Sequence, residues 1–273
     1  EITGLTSQVT NENSGIYVEY EFDIMDQLKS LVWKDSSGTV IRSFDYSYSP
    51  SGMITNIARE VASEDTVYTY NNLGELATSD SSYYTAEYNR DAVGNPTQFV
   101  INGYTVPATL GVGNRLASWT GGSYSHNIAG CVTNKVSGST STGINWNDRY
   151  QMTDVSINGT PAKSYTYDAL GRRSSITDSS GNVTKIIYDG MHMVADVDED
   201  NNLIRTYTAG PGVDNWLSFT EFENSNTYYY ITDHVGTVHA VTDESGTVVE
   251  SYRYSPFGKV LAIFDENGNT ISE

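Results

Sequence analysis

Cysteine is almost missing from this sequence. Cys131 stands alone among 273 residues, so no intrachain disulfide forms and no CxxC metal site exists. No apolar run reaches the roughly eighteen residues of a membrane-spanning helix. No basic, apolar leader precedes the first strand-like stretch, but we read the chain as an excised piece of a longer protein, so that gap carries no weight. Basic residues are scarce: 15 Lys and Arg against 34 Asp and Glu leave a net charge of −19. Such a surface repels phosphate backbones and anionic lipid, which argues against a nucleic-acid partner or a polybasic membrane attachment. Helical periodicity is nearly absent. Residues 57–63 are the only short helix candidate, and the β-branched Val61 argues weakly against it. Phe is scarce too, 7 residues against 21 Tyr. GxSxG, GxxxxGK[ST] and GxGxxG are all missing, and Gly210-Pro-Gly212 reads as a turn.

The stretch around which the rest is organised is Tyr165-Thr-Tyr-Asp-Ala-Leu-Gly-Arg172. Tyr165 and Tyr167 are two apart and share one face of a strand. Asp168 and Gly171 stand at the first and last corners of a four-residue turn. Asp bonds its side chain to the turn backbone, and Gly accepts positive φ without steric cost. The frame recurs as Tyr46, Tyr48, Gly52; Tyr68, Tyr70, Asn71, Gly74; Tyr88, Arg90, Asp91, Gly94; Tyr124, His126, Asn127, Gly130; and Tyr252, Tyr254, Gly258. Two copies are degenerate, with Asn114 and Tyr150 at the Gly position. Turn markers at 52, 74, 94, 114, 130, 150 and 171 lie 16 to 22 residues apart. A steady period near twenty indicates a repeat architecture with one hairpin per unit. Further tips are expected at Asp35-Ser-Ser-Gly38, Asp178-Ser-Ser-Gly-Asn182, Asp243-Glu-Ser-Gly246 and Asp265-Glu-Asn-Gly268. Alternation over residues 16–24 places Ile16, Val18, Tyr20, Phe22 and Ile24 on one strand face. The low-complexity stretch 134–143 reads as a long tip between strands.

The motif at 165–172 resembles the YD repeat of the RHS family. Tyr188-Asp-Gly-Met-His-Met-Val-Ala-Asp196, followed by Tyr207-Thr-Ala-Gly-Pro-Gly-Val-Asp214, is similar to the family's segment near the end of its repeat array. Tyr228-Tyr-Tyr-Ile-Thr-Asp-His-Val-Gly-Thr-Val-His-Ala-Val-Thr-Asp243, through Tyr252-Arg-Tyr-Ser-Pro-Phe-Gly258, resembles the core signature. The likeness covers almost the whole chain, least clearly residues 1–45. It implies an all-β array of antiparallel hairpins in a long, curved, spiralling sheet. The array would form one continuous domain over 1–273, with hairpin repeats in 1–187 and the core-like end in 188–273. It also implies a bacterial, secreted or cell-surface shell that encloses a C-terminal effector, commonly a toxin. The expected partners are that effector and further repeats of the parent chain; the expected activity is none, with no cofactor. The family's self-cleaving aspartyl segment follows the core signature. Glu273 precedes any stretch that matches it, so no catalytic residue carries over. An alternative is a carbohydrate-binding or adhesive module, because exposed aromatic rows suit stacking on sugar rings. An acid-paired hydrolase ranks last.

The residues expected to matter are therefore structural. Tyr68, Tyr70, Tyr88, Tyr165, Tyr167, Tyr252 and Tyr254 would form the wall. Gly74, Gly94, Gly130, Gly171 and Gly258 would be turn pivots, with Asp168, Asp233, His234 and Gly236 as turn formers. Asp196, Asp198 and Asp200 alternate like the start of a calcium loop, but Asn201 and Tyr207 replace the required Gly and Glu, which favours an acidic tip. His234 and His239, with Asp233 and Asp243, match no metal or catalytic spacing. Five apart on a strand, the two histidines would face opposite sides. Terminal hairpins cut from their neighbours would leave unpaired strand edges able to associate.

Overall fold

The computed structural model describes residues 14–119, 122–212 and 215–271 in full, and the backbone of Thr6–Thr10. Val213 and Asp214, the end of the stretch beginning at Tyr207, lie outside the described residues. Those described form 26 strands and one short 3-10 turn, Ala62–Glu64. The protein is all-β, a repeat of antiparallel hairpins.

One turn design generates the repeat. At Asp168 the Gly171 N–H donates to the Asp168 carbonyl at 3.0 Å, and the Asp168 N–H donates to the Arg172 carbonyl at 2.9 Å. The Asp168 carboxylate accepts from the amides of Leu170 and Arg172, both at 2.9 Å. A type I turn followed by a left-handed residue joins the two strands. Tyr167 then pairs with Arg173 and Thr166 with Ser175, a bulge that leaves Ser174 as the extra residue. The same double closure recurs from Asp35 to Asp265. Gly171 has φ +85°, and Asn114 and Tyr150 keep the left-handed conformation at +60° each. The Tyr150 copy thus preserves the backbone although it loses the glycine, whereas at Asn114 a glycine one place earlier, Gly113, is left-handed as well, at +71°.

Local expectations meet three corrections. Residues 57–63 are not helical: Ile54–Arg59 is a strand and only Ala62–Glu64 winds into a 3-10 turn, because the neighbouring strand captures the Ile57 backbone. Ile24 leaves the strand face and stands exposed in a turn, since Tyr17–Phe22 ends before it. Residues 134–143 are mostly strand, Val132–Ser137 paired with Thr140–Trp146, with a two-residue tip. Cross-strand hydrogen bonds outweigh low complexity there.

The chain divides into two compact units, 1–87 with 207–273, and 88–206. In the second unit, strands from Pro96–Ile101 onward each pair antiparallel with the next. One face carries rings such as Tyr165 and Tyr167. The other carries hydroxyl pairs, for example Thr166 Oγ1 with Ser175 Oγ at 2.6 Å. The first unit has two layers. Its early strands bury Val18, Leu31, Phe44, Tyr46 and Ile57 in one cluster. Tyr229, Ile231 and Ala240 of the late strands bury Ile16 and pack against Trp33 and Ile41 of the early ones. Side chains of this size contribute roughly 1.5–3 kcal/mol each when fully buried, so this two-layer core is the main source of cohesion there.

Candidate functional site

The aromatic residue just before a turn reaches back across the sheet. Tyr48, Tyr70 and Tyr167 donate their hydroxyls to the carbonyls of Leu28, Ile54 and Met152, each at 2.7 Å. Tyr188 donates to Arg173 at 2.9 Å and Tyr254 to Val238 at 2.8 Å. Trp146 does the same through Nε1 to Val132 at 2.7 Å. Each acceptor is the first residue after the preceding turn on the same rim, so every such ring ties its hairpin to the one before. A phenylalanine packs equally well but cannot donate. The excess of Tyr over Phe was the readable signal for these clasps; the acceptors were not legible.

Where the two layers of the first unit meet, a cleft of about 180 Å³ is lined by Arg59, Glu64, Tyr68, His234, Arg253 and neighbours. The structure gathers Asp233, Tyr252, Tyr254 and Gly258 there as well. Tyr88, Gly94, Gly130, Tyr165, Tyr167, Asp168 and Gly171 belong to the other unit. There Tyr88 packs edge-on against Phe99, centroids 4.8 Å apart, and Tyr165 lies under the Arg173 guanidinium at 4.5 Å. Gly74, Gly94, Gly130, Gly236 and Gly258 all have φ between +78° and +94°.

Asp233 opens a turn of the common design, and its Oδ1 accepts from the amides of Val235 and Thr237 at 3.0 and 2.9 Å. Its other oxygen meets His239 Nε2 at 3.2 Å. His234, at the apex of the same turn, has Nδ1 3.1 Å from the Tyr46 hydroxyl, with the rings edge to face at 4.7 Å. His239 lies 4.9 Å from Phe44. Both histidines therefore reach the early layer, contrary to the expectation of opposite faces. The turn and the bulge between Ile231 and Thr232 reset the alternation, so the pair does not share one straight strand. Trp33 Nε1 donates to the Thr232 carbonyl at 2.8 Å. Arg253 donates to Glu64 Oε1 through Nε and Nη2 at 3.0 and 2.9 Å. Sequence reasoning had no means of finding Trp33, Phe44, Glu64 or Arg253, because they have partners up to 199 residues away.

The electrostatics are those of a closed joint. Burial works to raise the Asp233 carboxyl, but the His239 hydrogen bond and charge, with the two amides, outweigh it and hold the group below its ordinary value. Burial lowers His234, and the Asp233 charge only partly opposes it. Burial first, then the Asp233 charge, pushes the Tyr46 hydroxyl far above its ordinary value. A neutral imidazole on a protonated phenol is a hydrogen bond without net charge, suited to a half-dry interface. Asp233 is spent in its own turn and on His239, and Trp33, His234 and Arg253 on partners in the opposite layer. Among the described residues no cluster of three or more His, Cys, Asp or Glu could hold a metal ion. The Asp198 carboxylate is taken up by the amides of Asp200 and Asn202 and by the Asn202 side chain.

The profile of the Teneurin YD-shell family matches residues 3–269. The chain belongs to this family. As a YD-shell chain it is 31% identical over 180 residues to the tRNA3(Ser)-specific nuclease WapA of Bacillus spizizenii, and 29% identical over 180 residues to the tRNA nuclease WapA of Bacillus subtilis. Each match covers 63% of this chain and 7% of the relative. In fold the YD-shell chain is similar to a component of the Photorhabdus luminescens Tc holotoxin pore, with TM-score 0.75, 16% identity and coverage of 93% of this chain and 15% of that one. It is similar also to the TcdB2-TccC3 complex, with TM-score 0.73, 16% identity and coverage of 94% and 15%. The resemblance to RHS repeats thus holds over nearly the whole sequence, and the YD-shell chain spans a small part of each larger protein.

Proposed function

We propose that this chain is a non-catalytic wall segment of a larger secreted or cell-surface protein, where it encloses and sequesters a C-terminal effector or toxin. The observation that carries the reading is the joint between layers. Hairpins 188 to 199 residues apart are joined by part-buried hydrogen bonds, His234 on the buried Tyr46 and Trp33 on the Thr232 carbonyl. Such a joint holds a wall together. Family membership supports the same reading. In it, residues 1–273 act as one continuous repeat domain whose core-like end begins at 188. Tyr68, Tyr70, Tyr88, Tyr165, Tyr167, Tyr252 and Tyr254 build the wall; the left-handed glycines let it turn. The partners are further repeats of the parent chain and its effector.

The test is limited proteolysis of the full-length parent. The effector is expected to resist digestion while the wall is intact, and to become sensitive when Ile231→Asp opens the layer joint. An effector digested freely in the wild-type parent would overturn containment.

A further inference from the structure

The two rims of unit 88–206 differ. Consecutive antiparallel pairing sends alternate turns to opposite ends of the strands. On one rim the turns open at Asp91, Gly111, Asn127, Asn147 and Asp168. Four of them carry a large aliphatic side chain within the turn: Val93, Val112, Ile128 and Leu170, which are 80%, 95%, 94% and 77% exposed. On the other rim, the described loop residues at 102–103, 138–139, 158–159, 179–182 and 198–202 are all glycine or polar. They become acidic at Asp198, Glu199 and Asp200; Tyr104, just inside that rim, is an exposed exception. Arginine is also segregated. Five of the six in this unit, Arg90, Arg115, Arg149, Arg172 and Arg173, stand beside the apolar rim.

Two strands per repeat, each spaced about 4.8 Å from the next, put these turns roughly 10 Å apart. The aliphatic side chains are strung along about 40 Å of this rim. The first unit shows what such a rim can meet. Arg253, two residues before a turn of the apolar-rim class, is bonded to Glu64 in a loop of the opposite class.

We propose that the apolar, arginine-flanked rim of this unit docks on the acid-tipped rim of a second copy of the chain, head to tail. The contact joins two different surfaces, so it is heterologous and leaves one free rim at each end of a dimer for a further copy. It goes beyond the wall reading and does not depend on what the wall encloses. A monomeric chain would sink the docking and leave containment untouched.

Sedimentation velocity over a concentration series tests it with two double variants. One is Ile128→Lys with Leu170→Lys on the apolar rim. The other is Glu199→Lys with Asp200→Lys on the acidic rim. All four side chains are exposed, and circular dichroism checks that each variant folds. The wild-type chain should grow with concentration, and each variant alone should stay monomeric. An equimolar mixture of the two should form dimers and stop there, because each supplies the rim the other lacks. A monomeric wild type overturns the proposal. So does a variant that still associates like wild type, which would point to strand-edge pairing, or a mixture that stays monomeric.

Discussion

Removing one oxygen atom separates the two tyrosines of a repeat. Tyr165 and Tyr167 lie two apart on one strand face in the same unit. Only Tyr167 has its hydroxyl on a backbone carbonyl, Met152 at 2.7 Å; Tyr165 contributes its ring, under Arg173. Tyr→Phe leaves ring and volume in place, so no cavity forms. The loss at 167 is one neutral hydrogen bond, a net of about 0.5–1.5 kcal/mol, with the upper half favoured because the carbonyl left behind is partly buried. For a chain of this size about 1 kcal/mol shifts the melting temperature by roughly 2 °C. The same change at 165 should fall within about 0.5 kcal/mol of wild type. Urea unfolding with an unchanged slope measures both. Equal effects at the two positions, or none at 167, would refute the clasp as a source of stability and leave the Tyr-over-Phe bias unexplained.

Other expectations follow from the same geometry. Tyr150→Gly should stabilise by up to about 1 kcal/mol, since an L residue at φ +60° is strained and this ring is largely exposed; a loss would mean that the ring packs in solution. Gly171→Val should destabilise by more than about 1 kcal/mol, because φ is +85° and a Cβ there meets Gln151 Nε2 at 3.3 Å; a change within about 0.5 kcal/mol would be inconsistent with the turn described. Acid should loosen the layer joint. His234 is held below its ordinary 6.5, so the folded protein binds fewer protons than the unfolded chain, and its contribution is whole above pH 6.5 and lost as pH falls through the folded value. Asp233, held below 3.8, adds a second loss in the same direction at lower pH. Melting temperatures across this range should show the first step in wild type and not in His234→Asn. No calcium site is expected at Asp198; a melting temperature raised by millimolar calcium and reset by Asp198→Ala would contradict that.

Local rules were legible because they repeat. Asp or Asn, three residues before a glycine, states the turn at Asp168 and Asn71 outright, and alternation states the strands around it. Tyr150 keeps the same backbone without the glycine, since the two closing hydrogen bonds and the strands on either side impose φ from outside. The layer joint was not legible. Phe44 and His239, or Glu64 and Arg253, are brought together by the path of many hairpins, and no periodicity records a contact between residues 189 apart. The histidine pair was misread for a smaller reason: the turn between them, and a bulge whose extra residue is His239, break the count of two on which the facing argument depends.

The clasps all run one way. In every pair the donor is the later residue and the acceptor the earlier one, from Tyr48 on Leu28 to Tyr254 on Val238. A hairpin leaving the ribosome therefore finds its anchor already made and never waits for a successor. Synthesis at about 5–20 residues per second gives each repeat of some twenty residues about one to four seconds, long against the microseconds in which a hairpin forms. The layer joint keeps a different clock. Trp33 cannot reach Thr232 until 199 more residues have been made, roughly ten to forty seconds later at that rate. Through that interval Phe44 and Tyr46 face water, and nascent chains are then most exposed to aggregation.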